Sequence, residues 1–262
     1  MTTEAILETK ADSMPVSIFE TNEAMGQAAA LEAAEIIRTA IEEKGAASII
    51  IATGNSQLTF LEALRELPGI DWSKVTVFHM DEYIDLPQGH PASFPTFLQR
   101  HFLDYIPEPA AFYPVVARAG QLEGDCAEYA SLLHAHPADL CAMGIGENGH
   151  IAFNDPPFAE FNDPVWVKVI RLDEKSRKQQ VGEGHFSGLD EVPTHAITLT
   201  IPALLSADRV LCIVPEERKA EAVYQTINGP ITESCPASIL REKPHAHLYL
   251  DADAAAKAYP QL

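Results

Sequence analysis

The sequence predicts one α/β domain over residues 1–262, with a largely parallel sheet and helices on both faces in a three-layer α/β/α arrangement. Apolar residues make up 47% of the chain, which is enough for a sizeable core. Short uncharged runs rich in β-branched residues alternate with segments of helical spacing, as expected for parallel strands joined by helical crossovers. The chain contains no linker, repeat or low-complexity tract that would separate two domains.

The first half of the chain shows this alternation from its start. A short apolar run at 16–19 predicts a strand, and Asn22 is a suitable N-cap for the helix that follows. That helix extends to about Glu43, with apolar residues at helical spacing, and Gly45 ends it. The same reasoning predicts strands at 47–52 and 75–78 and helices at 57–67, 93–104 and 125–133.

The second half of the chain continues the pattern. Further apolar runs predict strands at 140–143, 167–170, 196–200, 208–214 and 247–250. Helices are expected at 216–226 and 252–258, and strands at the edges of the sheet are expected to run antiparallel. Residues 1–12 mix polar and small side chains and are expected to form a mobile arm or a cap.

The charge of the chain excludes two classes of partner. The 262 residues carry 18 Lys and Arg against 38 Asp and Glu, a formal net charge of −20. A protein this acidic is not expected to bind nucleic acid or an anionic membrane surface, because both need a basic face. The chain starts without a basic, apolar leader, and its four cysteines form no Cys-x-x-Cys pair. These features predict a cytoplasmic protein with reduced thiols.

The segment from Met143 to Pro157 is the most informative one, Met-Gly-Ile-Gly-Glu-Asn-Gly-His-Ile-Ala-Phe-Asn-Asp-Pro-Pro. A predicted strand leads into three glycines that allow a sharp turn, and His150 follows the last of them. Open α/β sheets present reactive side chains in this way at the carboxyl ends of their strands. The alternatives are a structural turn holding a hydrogen-bonded histidine and a dinucleotide-binding Gly-x-Gly-x-x-Gly turn. No helical pattern follows Gly149, which argues against the dinucleotide.

This segment resembles the active-site signature of the glucosamine-6-phosphate deaminase family, which shares its fold with the 6-phosphogluconolactonases. The residues after His150, Ile-Ala-Phe-Asn-Asp-Pro, have the deaminase form, whereas the lactonases typically continue as Thr-Ala-Ser-Leu-Phe-Pro. Segments at 52–57, 80–87 and 193–220 also resemble the family, in the expected order. The resemblance runs from about Ile50 to about Leu250 and implies a Rossmann-like fold.

The resemblance implies an aldose–ketose isomerising deaminase that converts glucosamine 6-phosphate and water to fructose 6-phosphate and ammonia, without a metal or other cofactor. Asp81 would move a proton between C2 and C1 of the opened sugar. His150, held by Asn148 and Asp155, would open the ring. Many relatives have Glu where this chain has Asp155, whose side chain is shorter by a methylene. Either the lid lies closer, a water bridges the gap, or the substrate differs.

The expected phosphate loop is Thr53-Gly54-Asn55-Ser56-Gln57, between a predicted strand and helix. Gly54 allows close approach of a ligand, and the free N–H groups at the helix start attract anions. The alternative is ordinary N-capping by Asn55 or Ser56.

The resemblance assigns Arg177 and Lys219 to the phosphate, with Lys175, Lys178 and Arg218 as alternatives; all of these could instead be solvated helix charges. Gly149 and Glu82 complete the expected substrate-binding set. Glu82 would raise the pKa of Asp81 by repulsion if both point inward, but strand alternation would place the two on opposite faces.

Residues 153–165 are expected to form a lid bounded by prolines that excludes water on closure. The expected partner is a small-molecule sugar phosphate, and a homo-oligomer is possible. Three rival functions stay open: a galactosamine-6-phosphate deaminase, a sugar-phosphate lactonase on the same fold, and a sugar-phosphate sensor without turnover. Histidine pairs at 134/136 and 245/247 lack the further ligands of a metal site, so no metal is predicted.

Overall fold

The computed structural model describes residues 4–87, 89–118, 120–156 and 158–262. These residues form the strands β1 (Leu7–Ala11), β2 (Met14–Phe19), β3 (Ala47–Ile51), β4 (Val75–His79), β5 (Asp81–Tyr83), β6 (Ala111–Tyr113), β7 (Leu140–Met143), β8 (Val167–Arg171), β9 (His195–Leu199), β10 (Arg209–Val214) and β11 (Ala246–Asp251). The helices are α1 (Asn22–Lys44), α2 (Leu58–Glu66), α3 (Phe94–His101), α4 (Leu122–Ala135), α5 (Glu174–Gly182), α6 (Ile201–Leu204), α7 (Ala220–Asn228) and α8 (Ala252–Ala255). Short 3₁₀ turns precede α2 at Asn55–Gln57 and α7 at Glu217–Lys219.

The central sheet has eight strands in the order β1-β2-β11-β10-β7-β3-β4-β6. Apart from the antiparallel edge pair β1–β2, every pair of neighbours is parallel. Parallel strands that are covered on both faces should be apolar throughout, and β3 and β7 are buried at every position. The prediction of a largely parallel sheet is confirmed.

Each face of the sheet packs against its own layer of helices. In β3, Ile49 and Ile51 pack with α1, α2 and α3, whereas Ile50 faces the cluster that contains residues of α4, α7 and α8. This division follows from the alternation of side chains along a strand. The three-layer α/β/α arrangement is therefore confirmed. No helix among the described residues has the length and apolar character that crossing a bilayer requires.

The ends of α1 differ slightly from the prediction. Thr21 is the N-cap, and its hydroxyl accepts a hydrogen bond from the N–H of Ala24 at 3.2 Å. Asn22 is the first residue of the helix instead of its cap. Gly45 ends the helix as predicted, at φ +83°, with its N–H bonded to the carbonyl of Ile41.

Two larger features depart from the sequence expectations. The strands β5, β9 and β8 do not join the central sheet but form a separate antiparallel sheet in that order. Strand periodicity alone does not specify which sheet a strand joins, because pairing depends on distant residues. Residues 7–11, expected in a mobile arm or cap, form the edge strand β1 through their hydrogen bonds to β2. Residues 1–3 lie outside the described residues.

The order of the strands gathers the predicted functional segments at one edge of the sheet. The strands β4, β3, β7 and β10 are neighbours in parallel orientation. Directly after their carboxyl ends come Asp81, the 53–57 loop, the 144–150 turn and the 216–219 turn, respectively. Carboxyl ends of neighbouring parallel strands lie side by side, which is where open α/β sheets bind ligands.

Candidate active site

A cavity opens at this carboxyl edge, with about 600 Å³ of empty space that is partly open to solvent. Its lining residues come from the four strand ends, from α3 and from α5: Ala52, Thr53, Gly54, Ser56, Gln57, Met80, Asp81, Phe94, Gly144, Ile145, Gly146, His150, Ala152, Phe153, Gln179, Gln180, Glu183 and Lys219. The structure thus brings together these sequence-predicted site residues: Thr53, Gly54, Ser56, Gln57, Asp81, His150 and Lys219. Asn55, Glu82, Asn148, Gly149, Asp155 and Arg177 do not line the cavity.

The 53–57 loop offers unpaired hydrogen-bond donors to the cavity. Gly54 has φ +99°, and the 3₁₀ turn that follows leads into α2. Within the described chain, no acceptor lies in hydrogen-bonding geometry with the backbone N–H of Gly54, Asn55 or Ser56. No side chain caps this turn or α2, so the N-capping alternative has no support. Backbone N–H groups without acceptors favour a bound anion.

Two side chains of this loop are engaged elsewhere. The amide nitrogen of Asn55 donates to the backbone carbonyl of Glu183 at 3.2 Å, which fixes the loop to the end of α5. Gln57 is 1% exposed and donates to the carbonyl of Ile213 at 3.1 Å. The carbonyl acceptor fixes the orientation of this amide, and its Oε1 has no partner among the residues that the structure describes. Gln57 is therefore a buried acceptor available to a ligand.

Asp81 and Glu82 point in different directions, as strand alternation predicts. Asp81 lines the cavity, whereas the carboxylate of Glu82 accepts hydrogen bonds from the Ser93 hydroxyl at 2.7 Å and from the N–H of Phe94 at 3.2 Å. Glu82 therefore holds the start of α3, where a negative charge is stabilised by the helix dipole. Because its carboxylate is used for this purpose, the structure gives no support to the predicted substrate contact of Glu82, which stays a prediction.

Both carboxyls have altered acidity. Burial, and then repulsion from Glu82 and Asp155, raises the pKa of Asp81 well above its usual range. Burial raises the pKa of Glu82 to about 7, although three hydrogen bonds oppose the shift. A buried carboxylate with a raised pKa is a stronger base once ionised, and a cation placed beside it would favour the ionised form.

The glycine turn after β7 has a steric basis. A Cβ on Gly146 would lie 2.1 Å from the ring of His150, so only glycine lets the imidazole lie against the backbone there. Gly149 has φ +83°, and a Cβ at this position would lie 2.8 Å from the Sγ of Cys235. The turn therefore fixes the backbone that carries His150, and this explains Gly149 without a ligand; its predicted substrate contact stays a prediction.

His150 is held on one side by a complete hydrogen-bond network. Its Nδ1 lies 2.7 Å from Oδ1 of Asn148, 3.0 Å from Oδ1 of Asp155 and 3.1 Å from the Ser176 hydroxyl. The Asn148 amide donates to Asp155 at 3.0 Å, so its oxygen faces the imidazole. Because the nearest partners of Nδ1 are acceptors, the network assigns a proton to Nδ1. The other ring nitrogen, Nε2, is left to exchange protons in the cavity.

Asp155 anchors this network as an ionised carboxylate. It is fully buried and accepts hydrogen bonds from Asn148, from the Ser176 hydroxyl and from the backbone N–H of Asp173. Burial alone would raise its pKa, but the hydrogen bonds from His150, Asn148 and Ser176 lower the pKa to about 2. The shorter Asp reaches the imidazole directly, so the replacement of Glu requires no bridging water.

The lysine of the predicted phosphate site lies in a constrained turn. Glu216 has φ +82°, which is unusual for a residue with a side chain, and the Asp251 carboxylate accepts its N–H at 3.0 Å. The following 3₁₀ turn carries Lys219 into the cavity, where it is 2% exposed. Its ammonium has no hydrogen-bond or ion-pair partner among the described residues. Burial lowers the pKa of Lys219, and the nearby Glu183 carboxylate opposes the shift.

Arg177 does not reach the cavity. Its guanidinium donates to the carbonyls of Leu189 and Val192, at 2.6 and 2.8 Å, and so holds the loop that leads into β9. The phosphate contact predicted for Arg177 is therefore not supported, because α5 directs this side chain away from the 53–57 loop.

The alternative cations are also engaged outside the cavity. Lys175 is exposed, and the exposed Lys178 pairs with Glu174 at 2.5 Å on the surface of α5. Arg218 does not line the cavity, and its guanidinium contacts Glu183 at 3.1 Å. Lys219 is the one predicted cation that lines the cavity.

Helix α5 and the residue after it contribute side chains to the site that were not predicted. Ser176 holds the His150 network, and Gln179, Gln180 and Glu183 line the cavity. A signal for this was present, because the helix (Glu-Lys-Ser-Arg-Lys-Gln-Gln-Val-Gly) has no apolar stripe with which to pack. A helix that packs without an apolar stripe has to place polar side chains against the protein.

The predicted lid at 153–165 begins as a fixed part of the site. Phe153 is 3% exposed and packs with Tyr83, at a ring distance of 5.4 Å, and with Phe94 at 5.8 Å. Asp155 belongs to the His150 network. Pro157 lies outside the described residues, and closure of the remaining segment stays a prediction.

The two histidine pairs considered for a metal have other contacts. His134 stacks on Trp166 at 3.9 Å, and His247 lies between Ser17 and Glu32, at 2.9 Å from each. Within the described ranges, no cluster of three His, Cys, Asp or Glu side chains is arranged to hold a metal ion.

Comparison with protein-family models matches residues 20–249 to the family described as glucosamine-6-phosphate isomerases/6-phosphogluconolactonase. The chain belongs to this family. It is 34% identical over 241 residues to proteins named glucosamine-6-phosphate deaminase from Bacillus cereus (strain B4264) and Bacillus thuringiensis (strain Al Hakam). In both cases the match covers 92% of this chain and 88% of the relative.

Solved structures of both branches of the family share the fold. A monomeric glucosamine-6-phosphate deaminase matches with a TM-score of 0.84 and 30% identity, over 92% of this chain and 99% of that one. A 6-phosphogluconolactonase from Shewanella baltica OS155 matches with a TM-score of 0.75 and 20% identity, over 93% and 100% of the two chains. At that identity the lactonase supports the fold alone. The family and fold suggested by the four sequence segments are confirmed.

Proposed function

We propose that this chain is an aldose–ketose isomerising deaminase that converts glucosamine 6-phosphate and water to fructose 6-phosphate and ammonia. The observation that carries the proposal is the shared cavity of Asp81, His150 and Lys219. A buried carboxyl, an oriented imidazole and a buried ammonium thus line the same cavity, and this supports the binding of one small ligand by all three. The 34% identity to named deaminases supports the same reaction.

Ring opening is the first step and falls to His150. The anomeric hydroxyl loses a proton and the ring oxygen gains one, so a single group that accepts and then returns a proton is suitable. The Asp155 carboxylate stabilises the imidazolium that forms in between, because its Oδ1 lies 3.0 Å from Nδ1. Nε2 is the nitrogen that exchanges the proton.

The carbon-bound proton then moves from C2 to C1, and Asp81 is the proposed base. It takes the C2 proton while the substrate's ammonium passes a proton to the C1 oxygen, which gives an enolamine. Asp81 then returns the first proton to C1, which leaves an iminium at C2. The substrate's ammonium beside Asp81 would favour the ionised carboxylate against the effect of burial. Water adds to the C2 iminium, the C–N bond breaks, and ammonia leaves with fructose 6-phosphate as the other product.

At the other end of the cavity, the N–H groups of the 53–57 loop and the Lys219 ammonium are the proposed phosphate ligands. Lys219 would bind the phosphate as a point charge, and hydrogen bonds from the backbone N–H groups would fix the orientation of its oxygens. These groups support binding of the amino sugar as its phosphate ester.

Ammonia release is the decisive measurement. Glucosamine, galactosamine and mannosamine 6-phosphates should be compared in the presence of EDTA, with hydrolysis of 6-phosphogluconolactone followed in parallel. We expect ammonia from the glucosamine ester at the highest kcat/KM. Lactone hydrolysis without ammonia release from any amino sugar would refute the proposal and favour the lactonase.

We also infer a cytoplasmic enzyme, supported by four free and buried cysteines, which suit a reducing compartment. The homo-oligomer stays a prediction, and light scattering of the purified chain tests it.

A further inference from the structure

The cavity contains a carboxylate that the proposed reaction does not use. The side chain of Glu183 is 6% exposed, and it lies at the end of the cavity formed by the 53–57 loop and Lys219. Its Oε2 lies 4.0 Å from the position that a Cβ on Gly54 would occupy. An acidic side chain therefore stands where the proposed substrate carries its most negative group.

The contacts of Glu183 are those that an anion would make. Its carboxylate accepts a hydrogen bond from the Gln179 amide at 2.8 Å and contacts the Arg218 guanidinium at 3.1 Å. His185 lies 3.4 Å away, and the Lys219 ammonium is close enough to influence its ionisation. Charge-assisted contacts of this kind are also the ones that hold a phosphate group.

Carboxylates outnumber the cations at this end of the cavity. Arg218 contacts Glu216 and Glu147 in addition to Glu183, so the two cations Arg218 and Lys219 face three carboxylates. A phosphate dianion that entered beside all three carboxylates would meet a net negative environment. Binding of the phosphate therefore requires that one carboxylate moves away from these cations. Of the three carboxylates, only that of Glu183 lines the cavity.

The movement proposed below is a rotation of the Glu183 side chain, because the backbone carbonyl of Glu183 is held by the Asn55 amide and its N–H by the carbonyl of Gln179. Gly182 and Gly184 flank Glu183, both are exposed, and neither has a neighbour within 4 Å of a Cβ built on it. Gly184 already has φ +80°. The two glycines carry no side chains that would obstruct rotation of the Glu183 side chain between them.

We propose that the Glu183 carboxylate partly fills the space for the substrate's phosphate at the 53–57 loop and Lys219, and that a phosphate group must displace it in order to bind. This inference rests on the proposed function, since it takes the ligand of this end to be a phosphate ester. Glu183 is then a specificity residue that weakens phosphate binding and confines it to ligands able to displace the carboxylate.

The Glu183 carboxylate could stop repelling a phosphate either by moving away or by taking up a proton, and movement is the favoured alternative. Burial would raise the pKa of Glu183, but hydrogen bonds from His185 and Gln179, together with Lys219 and Arg218, lower it to about 2. At neutral pH the carboxylate keeps its charge, so a phosphate has to replace it at its cationic partners.

Inorganic phosphate is the probe, titrated calorimetrically into the parent chain and into Glu183→Gln. The glutamine keeps the size of the side chain and removes its charge. We expect phosphate to bind about tenfold more tightly to Glu183→Gln, and KM for glucosamine 6-phosphate to fall in the same direction. Glu183→Asp keeps the charge and should bind phosphate as weakly as the parent.

Glu174→Gln is the matched control, because it removes the same charge from an exposed position of α5. Unchanged or weaker phosphate binding by Glu183→Gln would overturn the proposal, and so would equal tightening in Glu174→Gln. The titration does not depend on turnover. Tighter phosphate binding by Glu183→Gln without ammonia release from any variant would therefore refute the proposed function and leave the role of Glu183 standing.

Discussion

Around His150 the polar atoms satisfy one another, whereas around Lys219 several of them lack partners. The imidazole, Asn148, Asp155 and Ser176 form a closed network that fixes one ring nitrogen and leaves the other for chemistry. At the opposite end, the N–H groups of the 53–57 loop, the Oε1 of Gln57 and the Lys219 ammonium have no partner in the described structure.

The two ends of the cavity differ because one transfers protons and the other binds the ligand. A proton-transfer group must be held in its productive orientation before the substrate arrives, so its supporting contacts come from the protein. A binding group gains most when its hydrogen bonds are completed by the ligand, because buried polar atoms are costly to leave unpaired. Substitutions at the His150 end should therefore mainly lower kcat, and those at the Lys219 end should mainly raise KM.

Asp81→Asn should have the largest effect. Loss of a general base lowers kcat by about 10²–10⁴-fold, and deuterium exchange between C1, C2 and solvent should cease. Glu82→Gln is the matched control, since it alters the adjacent carboxyl on the opposite face and should mainly weaken the start of α3. If Glu82→Gln lost the exchange and Asp81→Asn retained it, Glu82 would be the base.

His150→Gln should come next, with a decrease of kcat of about 100-fold and little change in KM. The glutamine cannot carry the proton between the anomeric hydroxyl and the ring oxygen. His134→Gln, an exposed histidine outside the cavity, should behave as the parent in the same ammonia-release assay. Equal kcat values for these two variants would show that ring opening does not depend on His150.

Lys219→Ala should raise KM for the phosphorylated sugar by about ten- to hundredfold, since it removes a charge-assisted contact. Arg177→Ala should leave KM close to the parent value and lower the melting temperature, because its guanidinium holds two carbonyls before β9. Steady-state kinetics and thermal unfolding of both variants test this division. If Arg177→Ala raised KM and Lys219→Ala left KM unchanged, Arg177 and not Lys219 would be the phosphate ligand.

The smallest effect concerns stability. Since the folded-state pKa of Asp81 lies above its unfolded value, the stability associated with its protonated form is lost as the pH rises through the folded pKa. Asp81→Asn should therefore unfold at a higher temperature than the parent at neutral pH, and the advantage should shrink as the pH falls toward the usual pKa of Asp. If Asp81→Asn melted at a lower temperature than the parent at neutral pH, burial of the Asp81 carboxyl would not be destabilising and this expectation would be wrong.

The sequence by itself determined the layered α/β fold and the segments of the site, because both depend on local patterns. Buried parallel strands are apolar throughout, as in β3 and β7, and the glycines before His150 meet steric requirements within a few residues. The tertiary structure decided what depends on direction and distance. In the folded chain Glu82 points to the start of α3, and Arg177 points to the loop before β9. The strands β5, β9 and β8 pair in a sheet of their own, and Glu183 lines the same cavity as Lys219. A side chain's partner across the fold is set by the packing of whole elements, which no local pattern of residues encodes.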